Sequence, residues 1–76
     1  MELVPSERAV LRQIRDLFLE ASVRTYRLNM LTSRWPAIHF EAYRLGYVGL
    51  ATKGLIARSS DEQLFSITNA GMRAMA

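Results

Sequence analysis

The side chains best suited to bind a charged ligand are the basic residues in the middle of the chain. The 76-residue sequence carries a formal net charge of +3, and residues 22–58 hold six of its ten bases against one acid, Glu41. Arginine forms bidentate contacts with phosphate, and a basic zone favours polyanions, of which nucleic acid is the commonest. A solvated face of a small basic protein is the alternative explanation. The six bases are Arg24, Arg27, Arg34, Arg44, Lys53 and Arg58.

No pattern in the sequence predicts catalysis or a cofactor. Cysteine is absent and His39 is the only histidine, so the ligands of an ordinary zinc site are missing. There is no nucleophile with a base beside it and no glycine-rich phosphate loop. Ser59-Ser60-Asp61 indicates a turn. We therefore predict a protein that is not an enzyme and needs no metal or cofactor.

Length and hydropathy predict one small domain away from membranes. The first five residues lack the basic and apolar regions of a signal peptide, and no run approaches the roughly 20 apolar residues of a membrane span. We expect a cytoplasmic protein without a membrane partner. A chain of this length lies near the lower limit for a self-sufficient core, so we also expect a homodimer.

The first helix is predicted from Ser6, as its N-cap after Pro5, to Ala21. Its apolar residues recur at helical spacing and form one stripe. The small and β-branched residues of Ser22-Val23-Arg24-Thr25 predict a break, followed by a second helix capped by Ser22 or Thr25 and continuing through Leu28 and Leu31. One unbroken helix is the alternative, because glycine and proline are absent between Ser6 and Trp35.

A third helix is predicted from Pro36 to Thr52. Gly46 and Gly49 weaken a helix interior, so we expect another element to pack closely against them. The alternative is a helix that ends near Gly46 and is followed by a strand. On a helical wheel the expected core stripe is Ile38, Ala42, Leu45, Gly49 and Thr52.

A β-hairpin and a short last helix complete the prediction. Gly54 can supply the left-handed residue that ends helix 3. Residues 55–58 and 64–68 are expected to form two strands around a five-residue turn. Thr68 or Asn69 can cap a helix that runs to Ala76, and Leu55 and Ile67 can anchor the hairpin on the core.

The two ends of this hairpin resemble a known family. Lys53-Gly54-Leu55-Ile56 resembles the K-G-L-I that enters the wing of winged helix-turn-helix domains, and residues 65–71, FSITNAG, resemble the Y-x-L-T-x-x-G that leaves it. Regulators similar to MarR and PadR carry both motifs. The resemblance implies a mainly α fold, with a three-helix core, a hairpin wing and a short C-terminal helix, as a single winged-helix domain over residues 1–76. It also implies transcription regulation through double-stranded DNA, with helix 3 in the major groove.

Two groups of side chains are the candidate contacts. The DNA-binding candidates are Arg24, Arg27, Arg34, His39, Tyr43, Arg44, Lys53 and Arg58. The partner-interface candidates are Phe40, Tyr47, Met72 and Met75. Trp35 is expected to cover the core. Because one face of helix 3 is apolar and Asp61 and Glu62 would repel phosphate, the alternative is a winged-helix protein–protein interaction module. It would be a subunit of a complex, or a phage or mobile-element protein that binds host machinery.

Overall fold

The longest helix, α1, spans Pro5–Ala21 in a computed structural model that describes residues 2–76. Its apolar stripe faces inward, and Val10, Ile14 and Leu17 are almost completely buried. Ser22 then adopts a left-handed conformation, with φ of 57°, and its N–H donates to the Phe18 carbonyl at 2.8 Å. The predicted break is therefore confirmed, and the alternative of one unbroken helix is wrong.

The residue that caps the N-terminus of α1 is not the one that was predicted. Val4 occupies the cap position and Pro5 is the first helical residue. The carboxylate of Glu7, three residues on, accepts a hydrogen bond from the Val4 N–H at 3.0 Å. The prediction of Ser6 as N-cap is wrong, because Glu7 supplies the capping interaction and proline at the first helical position needs no donor partner.

A short strand, β1 (Thr25–Arg27), stands where the second helix was expected to begin. Helix α2 follows as Leu28–Thr32, so neither Ser22 nor Thr25 caps it. Tyr26 is buried between two exposed neighbours and stacks on Phe65 with 5.7 Å between ring centroids. The predicted start of helix 2 is wrong because residues 25–27 form backbone hydrogen bonds with a strand that is distant in sequence. These hydrogen bonds outweigh the local helical preference of the three residues.

A 3-10 turn, Ala37–His39, leads into α3, which spans Phe40–Thr52. The helix passes through Gly46, so the alternative of an end near Gly46 is wrong. A Cβ atom added at Gly46 would lie 2.5 Å from the carbonyl oxygen of Ser6, and one added at Gly49 would meet the Glu7 carboxylate. The expected close packing at both glycines is thus confirmed, and α1 is the element that approaches.

The buried side of α3 is not the side that the helical wheel predicted. Tyr47 and Leu50 are 4% and 0% exposed, whereas Ile38 and Leu45 are 86% and 55% exposed. Ala42 and Thr52 are exposed as well. The predicted core stripe is therefore wrong at four of its five residues, and only Gly49 packs against another element. Both sides of this helix are apolar, and the approach of α1 at Gly46 turns the tyrosine side inward.

The hairpin consists of β2 (Ile56–Arg58) and β3 (Leu64–Ile67), each within one residue of its predicted bounds. The sheet has three antiparallel strands in the order β1-β3-β2, so β3 is central. Phe65 lies opposite Tyr26 on one side and Arg58 on the other. Gly54 has a φ of 77° and makes the predicted left-handed exit from α3.

The last helix, α4, spans Asn69–Met75. Thr68 caps it as predicted, since its Oγ1 accepts from the Gly71 N–H at 3.0 Å. Leu55 and Ile67 are buried and anchor the hairpin, and Trp35 is buried at 7% exposure, as expected. The fold is mainly helical with one small antiparallel sheet. Its core residues are Val10, Leu11, Ile14, Leu17, Tyr26, Leu31, Trp35, Tyr47, Leu50, Leu55, Ile56, Phe65 and Ile67.

Candidate nucleic-acid interface

The most exposed apolar feature of the described chain is formed by the outward side of α3 and the 3-10 turn before it. Ala42 and Leu45 lie on α3 and Ile38 lies in the turn, and we call these three residues the outer stripe. The sequence assigned all three to the core. The helical wheel did not separate them from the core, because Gly49, which α1 approaches closely, points in the same direction as these three residues.

A closed ion pair borders the outer stripe. The guanidinium of Arg44 donates from Nε to Glu41 Oε2 at 2.9 Å and from Nη2 to Glu41 Oε1 at 2.5 Å. These hydrogen bonds hold the pKa of Glu41 below its ordinary value and raise the pKa of Arg44. The two donors that Arg44 would use for a bidentate contact are therefore occupied within the helix.

A groove of about 240 Å³ separates α2 and α3 from the hairpin. It brings together Arg44 of α3 and Arg58 of β2, two of the predicted DNA contacts. Arg58 lies 3.5 Å from Glu62 of the hairpin turn, measured from Nη1 to Oε1. The lining residues are Leu28, Thr32, Trp35, Phe40, Arg44, Tyr47, Val48, Arg58 and Glu62. The groove is thus apolar at its base and carries paired charges of both signs.

The aromatic side chains of this region occupy three different environments. Tyr47, a predicted interface residue, belongs to the core, and burial raises the pKa of its phenol. Its hydroxyl has no hydrogen-bond partner among residues 2–76. Phe40 is 42% exposed and packs edge-on against Trp35, while Tyr43 is half-buried and stacks on the same indole. Phe40 is therefore the more accessible of the two interface candidates on α3.

Arg27 and His39 border two different depressions of the surface. Within residues 2–76 the Arg27 side chain has no hydrogen bond or ion pair, and it borders a shallow depression with Asn29 and Gln63. His39 lines a separate groove of about 350 Å³ between α1 and α3. Of the predicted arginine and lysine contacts, Arg24 and Arg27 have no ion pair among residues 2–76, and Arg27 has no side-chain hydrogen bond either.

Arg24 and Lys53 are engaged in holding the fold together. Arg24 donates from Nε to the Ile67 carbonyl at 3.1 Å and from Nη2 to Asn69 Oδ1 at 2.9 Å. Lys53 donates to the buried carboxylate of Glu7 at 2.5 Å. That hydrogen bond lowers the pKa of Glu7, against the opposing effect of burial. An incoming phosphate would have to compete with these internal acceptors.

The remaining candidates lie outside α3 and the hairpin. Arg34, in the turn after α2, pairs with Glu20 at 2.9 Å, and both side chains are accessible to solvent. Met72 and Met75 are half-buried on α4, where they pack against the core. The structure therefore gathers the DNA candidates around α3 and the hairpin only in part, and it places the α4 interface candidates on a separate surface.

A second basic surface lies on α1. Arg8, Arg12 and Arg15 follow one another at helical spacing, and among residues 2–76 none of them forms an ion pair. They border a groove of about 310 Å³ together with Leu11 and Met75. The spacing of four and three residues is visible in the sequence, although these arginines were expected to be merely solvated.

Comparison with protein families, curated proteins and solved structures gives no significant match for this chain. In the described part of the chain, no group of three or more metal-binding side chains converges. None of the helices over residues 2–76 has both the length and the apolar character that crossing a bilayer requires.

Proposed function

We propose that this chain is a winged helix-turn-helix domain that binds duplex DNA, with α3 in the major groove, and that it regulates transcription. The observation that carries the proposal is the arrangement around α3. Helix α1 packs behind α3, the hairpin stands beside it, and its outward side is free. A helix with its side chains is about 10–12 Å wide, and the major groove is about 12 Å wide.

Exposed charges around α3 support a phosphate-binding role. Arg27 carries an unneutralised charge, and Arg34 and Arg58 each make a single contact with a carboxylate that is itself exposed. Exposed ion pairs are weak, so a phosphate can replace the carboxylate at little cost. The net charge of +3 adds a long-range attraction for a polyanion.

The proposal is tested by fluorescence anisotropy with a labelled random-sequence duplex at a series of salt concentrations. Four to six phosphate contacts predict a slope of log K against log salt of about −4 to −5. Absence of binding at about 50 mM salt, or binding that is indifferent to salt, would contradict the proposal.

Arginine variants locate the surface. Arg27→Ala, Arg34→Ala and Arg58→Ala should each weaken binding, whereas Arg12→Ala, on the opposite basic surface of α1, should change it little. If Arg12→Ala has the largest effect, the duplex binds α1 and the proposed placement of α3 is wrong.

The proposal includes a homodimer, since a dimer presents two reading helices to two half-sites one helical turn apart. Met72 and Met75 are only half-buried on α4 and are the candidate contacts. Sedimentation equilibrium of the wild type and of Met72→Glu tests this part. A wild-type protein that stays monomeric with and without DNA would contradict it.

A protein–protein interaction module is the second candidate, favoured by the apolar outer stripe and by the acidic residues of the hairpin turn, Asp61 and Glu62. In that case affinity purification would return a partner in stoichiometric amount, and excess duplex DNA would not displace it. Displacement by DNA would favour the first proposal.

A further inference from the structure

We propose that the outer stripe of α3 reads thymine methyl groups, so that the domain prefers A·T-rich duplexes. The inference rests on the proposed DNA-binding function and adds the chemical basis of sequence recognition. Ile38 and Leu45 are 86% and 55% exposed, and Ala42 between them is also exposed. Such apolar side chains on a reading helix match the one apolar group that the major groove presents, the C5 methyl of thymine.

The length of the outer stripe suits successive base pairs. Ala42 and Leu45 are three residues apart on α3, which is about 4.5 Å along its axis. Ile38 precedes them in the 3-10 turn, where the rise per residue is larger. The outer stripe therefore spans more than one base-pair step and can contact the methyl groups of about two or three neighbouring base pairs.

Few side chains on this side of α3 are free to form hydrogen bonds with the edges of the bases. Arg44, the side chain best suited to guanine, has its Nε and Nη2 donors engaged by Glu41. The hydroxyl of Thr52 donates to the Val48 carbonyl at 3.0 Å. The helix sequence contains neither asparagine nor glutamine, the residues that pair with adenine.

The size and surroundings of the outer stripe favour a nucleic acid over a protein as its occupant. A stable protein interface buries roughly 800 Å² on each partner and uses about 20–30 residues a side. Here three apolar side chains lie between the Glu41–Arg44 pair and α1, on a chain with a net charge of +3. The outer stripe complements the thymine methyl groups in the major groove, and the positive charge of the domain complements the phosphates on both sides of that groove.

The test compares two A·T-rich duplexes of one sequence, one with thymine and one with deoxyuridine at every thymine position. Uracil lacks only the C5 methyl, so charge and base pairing are retained. Burial of one methyl corresponds to about fourfold in affinity, at roughly 0.8 kcal/mol per CH₂-sized group. We expect the wild type to prefer the thymine duplex by about fourfold for each methyl contacted.

Two variants connect any preference to the stripe. Leu45→Ser and, independently, Ile38→Ser should reduce the preference for thymine, while Leu19→Ser, at an apolar position of α1 that is 67% exposed, should retain it. Equal binding of the two duplexes by the wild type would overturn the inference and leave DNA binding intact. A preference that both stripe variants retain would also overturn it, and failure to bind either duplex would instead contradict the proposed function.

Discussion

Arg44 and Glu41 form a bidentate ion pair on the outward side of α3, with N···O distances of 2.9 and 2.5 Å. The pair lies next to the outer stripe, where a duplex would be contacted. It neutralises the cation of α3 best placed to meet phosphate or guanine. Glu41 therefore acts against general DNA affinity under the proposed function.

Glu41→Gln should tighten binding to a random-sequence duplex by about three- to tenfold at low salt, because it removes a negative charge and frees Arg44. If Arg44 then contacts a phosphate, the salt slope becomes steeper by about 0.9. Anisotropy titrations measure both quantities. Asp16→Asn makes the same change of charge on α1 and is the control, which should leave the salt slope unaltered. An unaltered salt slope in Glu41→Gln as well would show that Arg44 does not approach the duplex.

Arg24→Ala and Arg27→Ala should separate a structural arginine from a binding one. Arg24 bridges Ile67 and Asn69, so its loss should lower the free energy of unfolding by about 1 kcal/mol. Arg27 has no such contacts and should affect DNA affinity without affecting stability. Urea denaturation and anisotropy on both variants measure the two effects. Equal stability losses would show that Arg27 also has a structural role.

The Glu7–Lys53 pair should make stability depend on acid pH. The pKa of Glu7 in the folded protein lies below its ordinary value of 4.5. The stabilisation is therefore complete above the ordinary pKa and is lost as the pH falls through the lower folded pKa, since the unfolded chain takes up the proton first. Urea denaturation at a series of pH values should show the free energy of unfolding falling from about pH 5 downward.

Glu7→Gln is the variant that tests this dependence. It should remove part of the acid dependence and cost about 1–3 kcal/mol at neutral pH, because Lys53 loses its partner and the Val4 N–H loses a charged acceptor. An unchanged acid limb in Glu7→Gln would show that another group controls it.

Gly46→Ala should destabilise the protein by about 1–3 kcal/mol, although alanine is the better helix former. The added methyl would lie 2.5 Å from the backbone carbonyl of Ser6, and backbone cannot move aside as a side chain can. Gly49→Ala would displace the buried Glu7 side chain from its hydrogen bonds with Lys53 and Val4, and should cost a similar amount. Thermal and urea denaturation compare the two, and a Gly46→Ala protein at least as stable as the wild type would mean that α1 does not press on α3 there.

Tyr47→Phe should leave the protein as stable as the wild type or more stable by up to about 1 kcal/mol. The hydroxyl of Tyr47 is buried without a hydrogen-bond partner in the described chain. Burying it costs free energy on folding that no hydrogen bond returns, and the phenylalanine variant avoids that cost. Tyr43→Phe, at a half-buried position, is the comparison. A marked loss of stability in Tyr47→Phe would reveal a bound water that satisfies the hydroxyl.

The hairpin and last helix were predictable from sequence because local chemistry determines them. Gly54 can adopt a positive φ, and Thr68 can cap the helix that follows it, whatever lies elsewhere in the chain. Strand β1 was not predictable in this way. Its three residues are strand because Tyr26 lies opposite Phe65, almost forty positions later.

The face of α3 illustrates a different limit. Its apolar residues fit two opposite stripes, one through Leu45 and the other through Tyr47, and periodicity does not choose between them. The choice depends on where α1 crosses, which the close approach at Gly46 records. Which basic side chains are free also depends on contacts that are distant in sequence, since Arg24 and Lys53 donate hydrogen bonds to acceptors more than forty residues away.

The central position of β3 also determines when the protein can fold during its synthesis. Until Leu64–Ile67 have left the ribosome, neither β1 nor β2 has a hydrogen-bonding neighbour. The stacking of Tyr26 on Phe65 must wait for the same event. Helices α1 to α3 emerge before β3, with Val10, Ile14 and Leu50 only partly covered. A chain truncated before residue 64 should therefore remain open to proteases and chaperones, and the 76-residue chain should not.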